Sequence, residues 1–319
     1  MARGISSRVG GGRGAAYARG VSEQSASVRR RSAVGAATQL GTEVSINLGS
    51  ALAGLVIPIV GAFVVVAVRQ LVMAAVVLPF YRPKRAELTW QRLWPAIALG
   101  VVLAVMNLSF YQAVHLLGLG VAATIEFLGP LALALVMSRR IIDVICALAA
   151  AVGVFLLTGF DGRVDGWGVA LALTAAASWA AYIVLTRRVA LRLPGLEGLT
   201  VAGIVSLVLL LPVALVTLDV SALDGRVILL LLGVGVLSSA LPYSLDTVIL
   251  RRITPRLYAI ITSFGPVVAA VFGVLVLHEQ FTPLEVIAIA VVCLSAGIAI
   301  ATQRQRPHTD LEYTAETIP

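Results

Sequence analysis

Windows of about 20 consecutive apolar residues recur along the whole chain, and they limit its fold more than any other feature. The hydrocarbon core of a bilayer is about 30 Å thick, and a helix of about 20 residues crosses it. Only 13% of the residues are charged, compared with about 25% in soluble domains. Within a bilayer the backbone must satisfy its own hydrogen bonds, which a helix does. The pattern therefore predicts an all-α polytopic membrane protein.

We predict ten transmembrane helices joined by short connections into one bundle. They lie at 35–56, 62–81, 93–114, 117–137, 141–159, 167–185, 199–218, 227–248, 257–278 and 283–302. The first, which contains ATQLGTEVSINLGSALAGLV, is rich in small and polar residues. Small residues allow close approach of helix backbones in a membrane, so we expect this helix to pack inside the bundle.

The basic residues indicate the orientation of the spans, because cytoplasmic loops of membrane proteins are enriched in Lys and Arg. If both termini are cytoplasmic, 21 of the 24 Lys and Arg residues fall in cytoplasmic segments. The outer loops then hold only Arg163 and Arg226, and Arg69 lies inside the second span. We therefore expect both ends of the chain in the cytoplasm. The net charge of +8 needs no nucleic acid as a partner.

The two ends of the chain differ from the spans in composition. Residues 1–34 are rich in Arg, Gly, Ser and Ala and lack the apolar region of a secretory signal peptide. We expect them to form a disordered basic cytoplasmic tail, and residues 304–319 to form a second tail. Between the tails we expect a first five-helix repeat at 35–160 and a second at 161–303.

An internal match supports this division into two repeats. The segment ATIEFLGPLALALV at 123–136 aligns without gaps with AIITSFGPVVAAVF at 259–272, at an offset of 136 residues. Ten spans split five and five, and since five is odd the second half would enter the membrane from the opposite side. The sequence therefore predicts two inverted five-helix repeats, an arrangement common among secondary transporters.

The aligned segments also predict a helix break in each half. Gly129-Pro130 matches Gly265-Pro266, and a proline cannot bond the carbonyl four residues before it. Pro130 therefore frees the carbonyl of Glu126, and Pro266 frees that of Thr262. Exposed backbone at membrane depth is tolerated where it lines a cavity, so we expect a polar cavity at these two positions.

Three charged residues lie near the middle of the predicted spans. Glu126 is almost central in its span, and Arg69 and Glu43 lie about 4 Å to either side of the midplane at 1.5 Å per residue. A charge at this depth costs about 2.5–3.5 kcal/mol on insertion scales. One interpretation is a structural ion pair of Arg69 with Glu126 or Glu43. We favour a substrate or proton site, because intramembrane charges usually mark transport pathways.

Other polar and aromatic residues lie near the same depth. Asn47 follows Glu43 by one helical turn, while Asn107 and Tyr111 share one helix face. Trp179 and Tyr182 also share a face, although aromatic residues in spans more often pack or anchor at the interface than bind a ligand.

Other residue types narrow the class of protein. The sequence lacks the GxxxxGK[ST] phosphate loop, so we expect no ATP hydrolysis. It has no mid-span His and no facing pair of Asp residues, so we expect no enzyme, and a sensor or channel also fits less well. Cys146 and Cys293 fit small core residues, and His115, His278 and His308 lack metal-ligand spacing. We therefore expect no cofactor, no metal and no catalytic residue.

Four segments resemble a known family. They are EFLGPLALALVMSRR (126–140), SWAAYIVLTRR (178–188), SSALPYSLDTVIL (238–250) and FGPVVAAVFGVLVLHEQFTP (264–283). They resemble the threonine/homoserine exporter branch of the EamA-type drug/metabolite transporters, and the resemblance covers about residues 38 to 303. The resemblance implies the export of small amino acids across the inner membrane, without ATP, by alternating access at a midplane site. Another metabolite or a drug from the same superfamily is the alternative substrate.

The family pattern matches this chain at several positions. It matches at Arg69, Asn107, Glu126 and Tyr243, and a carboxylate is also usual at the position of Asp246. From the sequence alone, Asp246 fits a surface pair with Arg251 or Arg252 as well as a role in the pathway. Two features depart from the pattern. Gly54 stands where a Lys often lies near the end of the first span, and Glu43 is not part of the pattern.

The charged residues suggest how transport would be coupled. A zwitterionic amino acid suits an Arg69 and Glu126 pair, since its carboxylate could bind the Arg and its ammonium the Glu. Protonation of Glu126 could then couple transport to a proton. We expect an amino acid, a proton and the lipid bilayer as partners, and the sequence leaves open whether the chain forms a homodimer.

Overall fold

The computed structural model describes residues 11–79, 89–137, 140–158, 165–193, 197–242, 245, 249 and 252–302. Within these ranges the chain is almost entirely helical and contains no β-strand. The first helix, α1, extends over Gly11–Val77 and is broken at Gly61, whose φ of 80° is the left-handed region that glycine adopts freely. The predicted spans 35–56 and 62–81 meet at this break. The sequence predicted a disordered tail up to residue 34, whereas the backbone is helical from Gly11.

The remaining helices follow in chain order. They are α2 (Trp90–Leu117), α3 (Leu119–Glu126), α4 (Leu128–Met137), α5 (Ile141–Thr158), α6 (Gly166–Ala190), α7 (Glu197–Thr217), α8 (Gly225–Gly235), α9 (Pro255–Thr262), α10 (Gly265–Leu277) and α11 (Pro283–Thr302). A 3-10 turn at Val220–Ala222 precedes α8, and a π-helical segment at Val236–Ala240 continues it.

Many of these helices are suited to a bilayer. Six segments of the described chain are long and apolar enough to cross a membrane. They are Ala33–Val77, Trp90–Leu117, Gly166–Ala190, Glu197–Thr217, Leu257–Leu277 and Pro283–Thr302. Three shorter helical segments, Leu119–Leu133, Ile141–Leu157 and Gly225–Ala240, are also apolar. Large apolar side chains such as Leu148, Leu215 and Leu229 are exposed on the bundle surface, as expected where lipid replaces water. The chain is therefore a multi-pass membrane protein.

Short polar side chains fix several helix ends. Asp165 accepts hydrogen bonds from the backbone N–H of Trp167 and Gly168 at the start of α6. Asp224 accepts one from Val227 at the start of α8, and Thr254 accepts one from Leu257 at the start of α9. These groups satisfy N–H donors that have no partner within the helix. These Asp and Thr side chains therefore stabilise the starts of the three helices.

Small residues allow the helices to pack closely. A Cβ added at Gly129 in α4 would lie 2.0 Å from the carbonyl oxygen of Ala176 in α6. One added at Gly100 in α2 would lie 2.6 Å from the carbonyl oxygen of Ala202 in α7. Such close contacts are typical of membrane helices, where van der Waals packing replaces the hydrophobic effect between helices.

Two helices are interrupted in the middle of the bundle. The first ends at Glu126 and resumes at Leu128, and the second ends at Thr262 and resumes at Gly265. Pro130 and Pro266 fall in the first turns of α4 and α10, where a proline is tolerated because the N–H there has no helical partner. Glu126 and Thr262 are each the last residue before a break, 136 residues apart.

Candidate functional site

A cavity of about 220 Å³ lies between the helices at the level of these two breaks. Nine of the residues predicted for the site line it: Glu43, Asn47, Arg69, Asn107, Glu126, Trp179, Tyr182, Gly265 and Pro266. They come from α1, α2, α3, α6 and α10, so the fold brings distant parts of the chain together. Both broken helices reach the cavity at their interruptions, since Phe127 and Thr262 also line it.

Arg69 is held by four hydrogen bonds to uncharged groups. Its Nε donates to Ser239 Oγ (2.6 Å), and Nη2 donates to the Ser238 carbonyl oxygen (2.8 Å). Nη1 donates to Asn107 Oδ1 and to Tyr111 Oη (3.3 Å). A guanidinium has five N–H donors, so one N–H of Nη2 remains for a ligand. Arg69 is therefore a fixed cation at the edge of the cavity.

The partners of Arg69 are themselves held in place. Asn107 Nδ2 donates to the Leu103 carbonyl oxygen (2.8 Å), which orients its Oδ1 toward the guanidinium. Tyr111 is fully buried, and its ring lies 5.7 Å from Arg69 Cζ. Tyr111 contacts Arg69 but is not among the residues that line the cavity. Tyr111 therefore packs on the side of Arg69 that faces away from the cavity.

The π-helical segment at Val236–Ala240 provides the other half of the arginine site. The Ser238 carbonyl accepts from Arg69, and the Leu237 carbonyl accepts from Ser45 Oγ (2.7 Å). A π-segment shifts backbone carbonyls from their usual helical partners, and within a membrane these carbonyls must find other donors. Side chains of α1 supply them. The irregular segment and Arg69 therefore depend on each other.

Ser238 and Ser239 were not predicted from the sequence as site residues. Their signal was a pair of hydroxyl residues inside an otherwise apolar span, three residues before Pro242. Ser45, Gln39 and Tyr258 were also missed. A single uncharged polar residue within a membrane helix does not by itself indicate a site, so only the contacts of these three residues show that they belong to it.

Glu126 lies at the end of α3 and lines the cavity. Among the residues that the structure describes, none donates a hydrogen bond to its carboxyl group, and it forms no ion pair with Arg69. The two groups are near enough to interact electrostatically. The structural ion pair between Arg69 and Glu126 is therefore not formed in this conformation, in which neutral groups take four of the five arginine donors.

Glu43 lies at the second broken helix. Its Oε1 accepts from Gln39 Nε2 (3.1 Å), and the same nitrogen donates to Thr262 Oγ1 (3.1 Å). A Cβ added at Gly265 would lie 3.4 Å from Glu43 Oε2. Glu43 and Gln39 are both buried. One carboxyl group therefore stands at each break, Glu126 from its own helix and Glu43 from α1.

The other predicted residues take different places. Trp179 packs edge-on against Phe127, with ring centroids 5.6 Å apart, so it touches the first break. Gly129 packs against the α6 backbone and, like Pro130, does not line the cavity. Tyr243 and Asp246 lie outside the described residues.

The fold and cavity define a class: a helical membrane protein with charged groups at two broken helices in mid-bundle, an arrangement found in secondary transporters. Residues 166–301 match the EamA-like transporter family. The threonine/homoserine exporter RhtA of Escherichia coli K12 is 33% identical over 272 residues, which cover 84% of this chain and 92% of that protein. RhtA of Salmonella typhimurium LT2 is 34% identical over 265 residues, covering 82% and 90%. The chain belongs to the EamA-like transporter family.

A solved crystal structure of a protein also superposes on this fold, with a TM-score of 0.58. The superposition covers 83% of this chain and 96% of the other, at 21% sequence identity. At that identity the similarity concerns the fold alone.

Proposed function

We propose that this protein is a secondary active exporter of small amino acids, such as threonine or homoserine, in the cytoplasmic membrane. The observation that carries the proposal is one mid-bundle cavity lined by Arg69, Glu126 and Glu43. Its volume of about 220 Å³ is below the usual range of drug-sized pockets, about 300–1,000 Å³. Its size and opposite charges suit a small zwitterion, and the relatives named as threonine/homoserine exporters support this assignment.

Each end of a small amino acid has a partner in this cavity. The substrate carboxylate would accept from the remaining Nη2 N–H of Arg69, whose other donors are already fixed. The substrate ammonium would bind Glu126, which has no hydrogen-bond donor among the described residues. Because the arginine is held before substrate binds, little side-chain ordering is needed on binding. The site residues all come from one chain, so the proposal needs no second copy.

We propose that protonation of Glu126 couples transport to a proton. Glu126 is half-buried and receives no hydrogen bond from the residues that the structure describes. Little therefore stabilises its ionised form while no ammonium is bound. A bound ammonium stabilises the ionised form and favours release of the proton. The two occupants of the site then exclude each other, which is the requirement for coupled exchange.

We further propose ten spans in two inverted repeats, with both termini in the cytoplasm. Contacts between connections support the alternation of the spans. Glu279 contacts Leu119, and the spans place both of these residues on the outer side. Arg192 contacts the Gln91 carbonyl, and both lie on the cytoplasmic side in this topology. The 136-residue offset between the two breaks supports the repeat.

Export of another metabolite or a drug is the second candidate function. The cavity is lined by five aromatic residues, Phe110, Phe127, Trp179, Tyr182 and Tyr258. Such a lining favours flat or apolar solutes over threonine. The two candidates share the cavity and differ in the solute that it takes.

Counterflow in liposomes separates the two candidates. Purified protein is reconstituted with unlabelled threonine inside, and uptake of labelled threonine, homoserine and each other amino acid is measured. We expect uptake above protein-free liposomes for threonine or homoserine, and loss of that uptake in Glu126→Gln. Uptake of aromatic or drug-like solutes without any amino acid would favour the second candidate and contradict the first.

A further inference from the structure

Outside the cavity, one carboxylate joins the two interrupted helices at their far ends. Glu279 lies in the connection between α10 and α11, and its Oε1 accepts from the backbone N–H of Leu119 (2.5 Å). Its Oε2 accepts from the N–H of Gly120 (3.3 Å). These are the first residues of α3, whose N–H groups have no intrahelical partner. A negative charge at this end is also favourable for the helix dipole.

Glycines leave room for this carboxylate on both sides. A Cβ added at Gly118 would lie 2.8 Å from Glu279 Oε1, and one added at Gly273 would lie 2.1 Å from Oε2. Gly118 also has a φ of 85°, which turns the chain into α3. The Glu279 N–H donates to the Gly273 carbonyl oxygen (3.0 Å). The carboxylate therefore occupies a fitted pocket between α3 and α10.

The contact joins helices that carry the transport site at their other ends. The α3 helix begins at the Glu279 contact and ends at Glu126 in the cavity. The α10 helix begins at Gly265 in the cavity and ends just before Glu279. Burial raises the pKa of the Glu279 carboxyl group, while its bonds to Leu119 and Gly120 oppose that shift. Holding the carboxylate there therefore carries a cost that separation would relieve.

We propose that Glu279 is a positioning residue for transport, which holds the outer ends of α3 and α10 together while the cavity is closed to the outside. Opening to the outside separates Glu279 from Leu119 and Gly120. This inference rests on the proposed export function and orientation. It assigns a role to a residue that lines no part of the substrate cavity.

Labelling of a cysteine in the cavity, from each side of the membrane in turn, tests the proposal. In the full chain, Cys146 and Cys293 are replaced by Ala, and Ser50→Cys, in the cavity lining, is the reporter. Intact cells are treated with a membrane-impermeant maleimide. Glu279→Ala removes the bonds to both Leu119 and Gly120. We expect external labelling to rise by at least about tenfold, the change in equilibrium constant for losing even one hydrogen bond to a charged group. Inverted vesicles should show a matching fall in labelling from the cytoplasmic side.

Two further variants make the result specific. Gly273→Ala keeps the charge of Glu279, but the added Cβ displaces the carboxylate, so this variant should also raise external labelling. Ala favours a helix more than Gly does, so α10 should still form. Glu285→Ala removes a carboxylate near the same connection, whose hydrogen bonds among the described residues are to Thr282. This variant should leave labelling unchanged. Wild-type labelling in folded Glu279→Ala and Gly273→Ala, or an equal rise in Glu285→Ala, would overturn the proposal.

Transport kinetics give a second readout. Because Glu279 does not line the cavity, Glu279→Ala should change the maximal counterflow rate, and any change in KM should not exceed the shift in the conformational equilibrium that the labelling measures. A changed KM with an unchanged maximal rate would contradict the positioning role. If labelling shifts as expected but no amino acid shows counterflow, the proposed substrate is wrong while the role of Glu279 stands.

Discussion

At the scale of single residues, the main feature is an arginine satisfied by neutral groups in the middle of a membrane protein. Arg69 binds two serines, an asparagine and a tyrosine, and it forms no ion pair with Glu126. The cavity therefore holds a fixed positive charge and carboxyl groups that do not neutralise it directly. This separation is what a zwitterionic substrate can bridge.

We predict that Glu126→Gln abolishes active efflux while the protein still inserts and folds. The amide keeps the side-chain volume but cannot ionise or exchange a proton. Since no described residue donates to Glu126, the change should cost less than about 1 kcal/mol of stability, as expected when no buried group loses a partner. Efflux assays in cells and thermal unfolding of the purified protein measure both effects. Full efflux by well-expressed Glu126→Gln would refute the assignment of this site.

We predict that Arg69→Lys inserts normally but weakens amino-acid binding by at least about tenfold, the loss expected for one hydrogen bond to a charged group. Lysine carries its donors on one nitrogen and cannot reach Ser239, Asn107 and the Ser238 carbonyl together. Binding titration of purified protein gives the change in Kd. An unchanged Kd would show that the planar arrangement of donors is not required.

At the scale of helices, close backbone packing limits substitution. The predicted role of Gly129-Pro130 was a helix break, and the structure shows a second role for Gly129 as the contact of α4 with α6. The proline sets the start of a new helix, while the glycine brings the two backbones together. Replacing these residues should therefore have different effects.

We predict that Gly129→Ala destabilises the protein by about 1–3 kcal/mol, the usual cost of overpacking. The added Cβ would lie 2.0 Å from the carbonyl oxygen of Ala176, which is backbone and cannot move independently. Gly41→Ala is the matched control, because nothing lies within 4 Å of its Cβ. Thermal unfolding in detergent should show a lower Tm for Gly129→Ala alone. Equal Tm values would mean that α4 and α6 adjust freely.

At the scale of the whole molecule, contacts between connections indicate which of them lie on the same side of the membrane. Contacts such as Arg140 with the Thr302 carbonyl join connections that the proposed topology places on one side. The proposed orientation rests on the distribution of Arg and Lys. Labelling from either side tests the two together.

We predict that Arg226→Cys is labelled by an impermeant maleimide from outside intact cells, while Arg188→Cys is labelled only in inverted vesicles. Both positions are exposed in the structure and lie at opposite ends of the predicted spans. Each variant serves as the control for the other, because both remove one arginine. External labelling at position 188 would reverse the orientation or change the number of spans.

The sequence by itself determined the class of fold, since a helix crossing lipid must be apolar over about 20 residues and this requirement is local. It also gave Glu126, Arg69 and Glu43 as candidates, because a charge within an apolar span stands out without knowledge of its neighbours. Nine predicted residues do meet at one cavity. Three other predicted residues do not line the cavity: Tyr111, Gly129 and Pro130. Helical periodicity predicts which residues share a helix face, but it does not predict which helix packs against that face.

The tertiary structure alone decided which groups pair. Ser238 and Ser239 lie about 170 residues beyond Arg69 in the chain and reach it only because a π-helical segment turns their hydroxyl and carbonyl groups toward it. Glu279 falls between two predicted spans and is not among the predicted site residues. Its two bonds to the start of α3 depend on glycines from two other segments. Long-range pairing of this kind depends on how the helices pack, and no local pattern of residues encodes it.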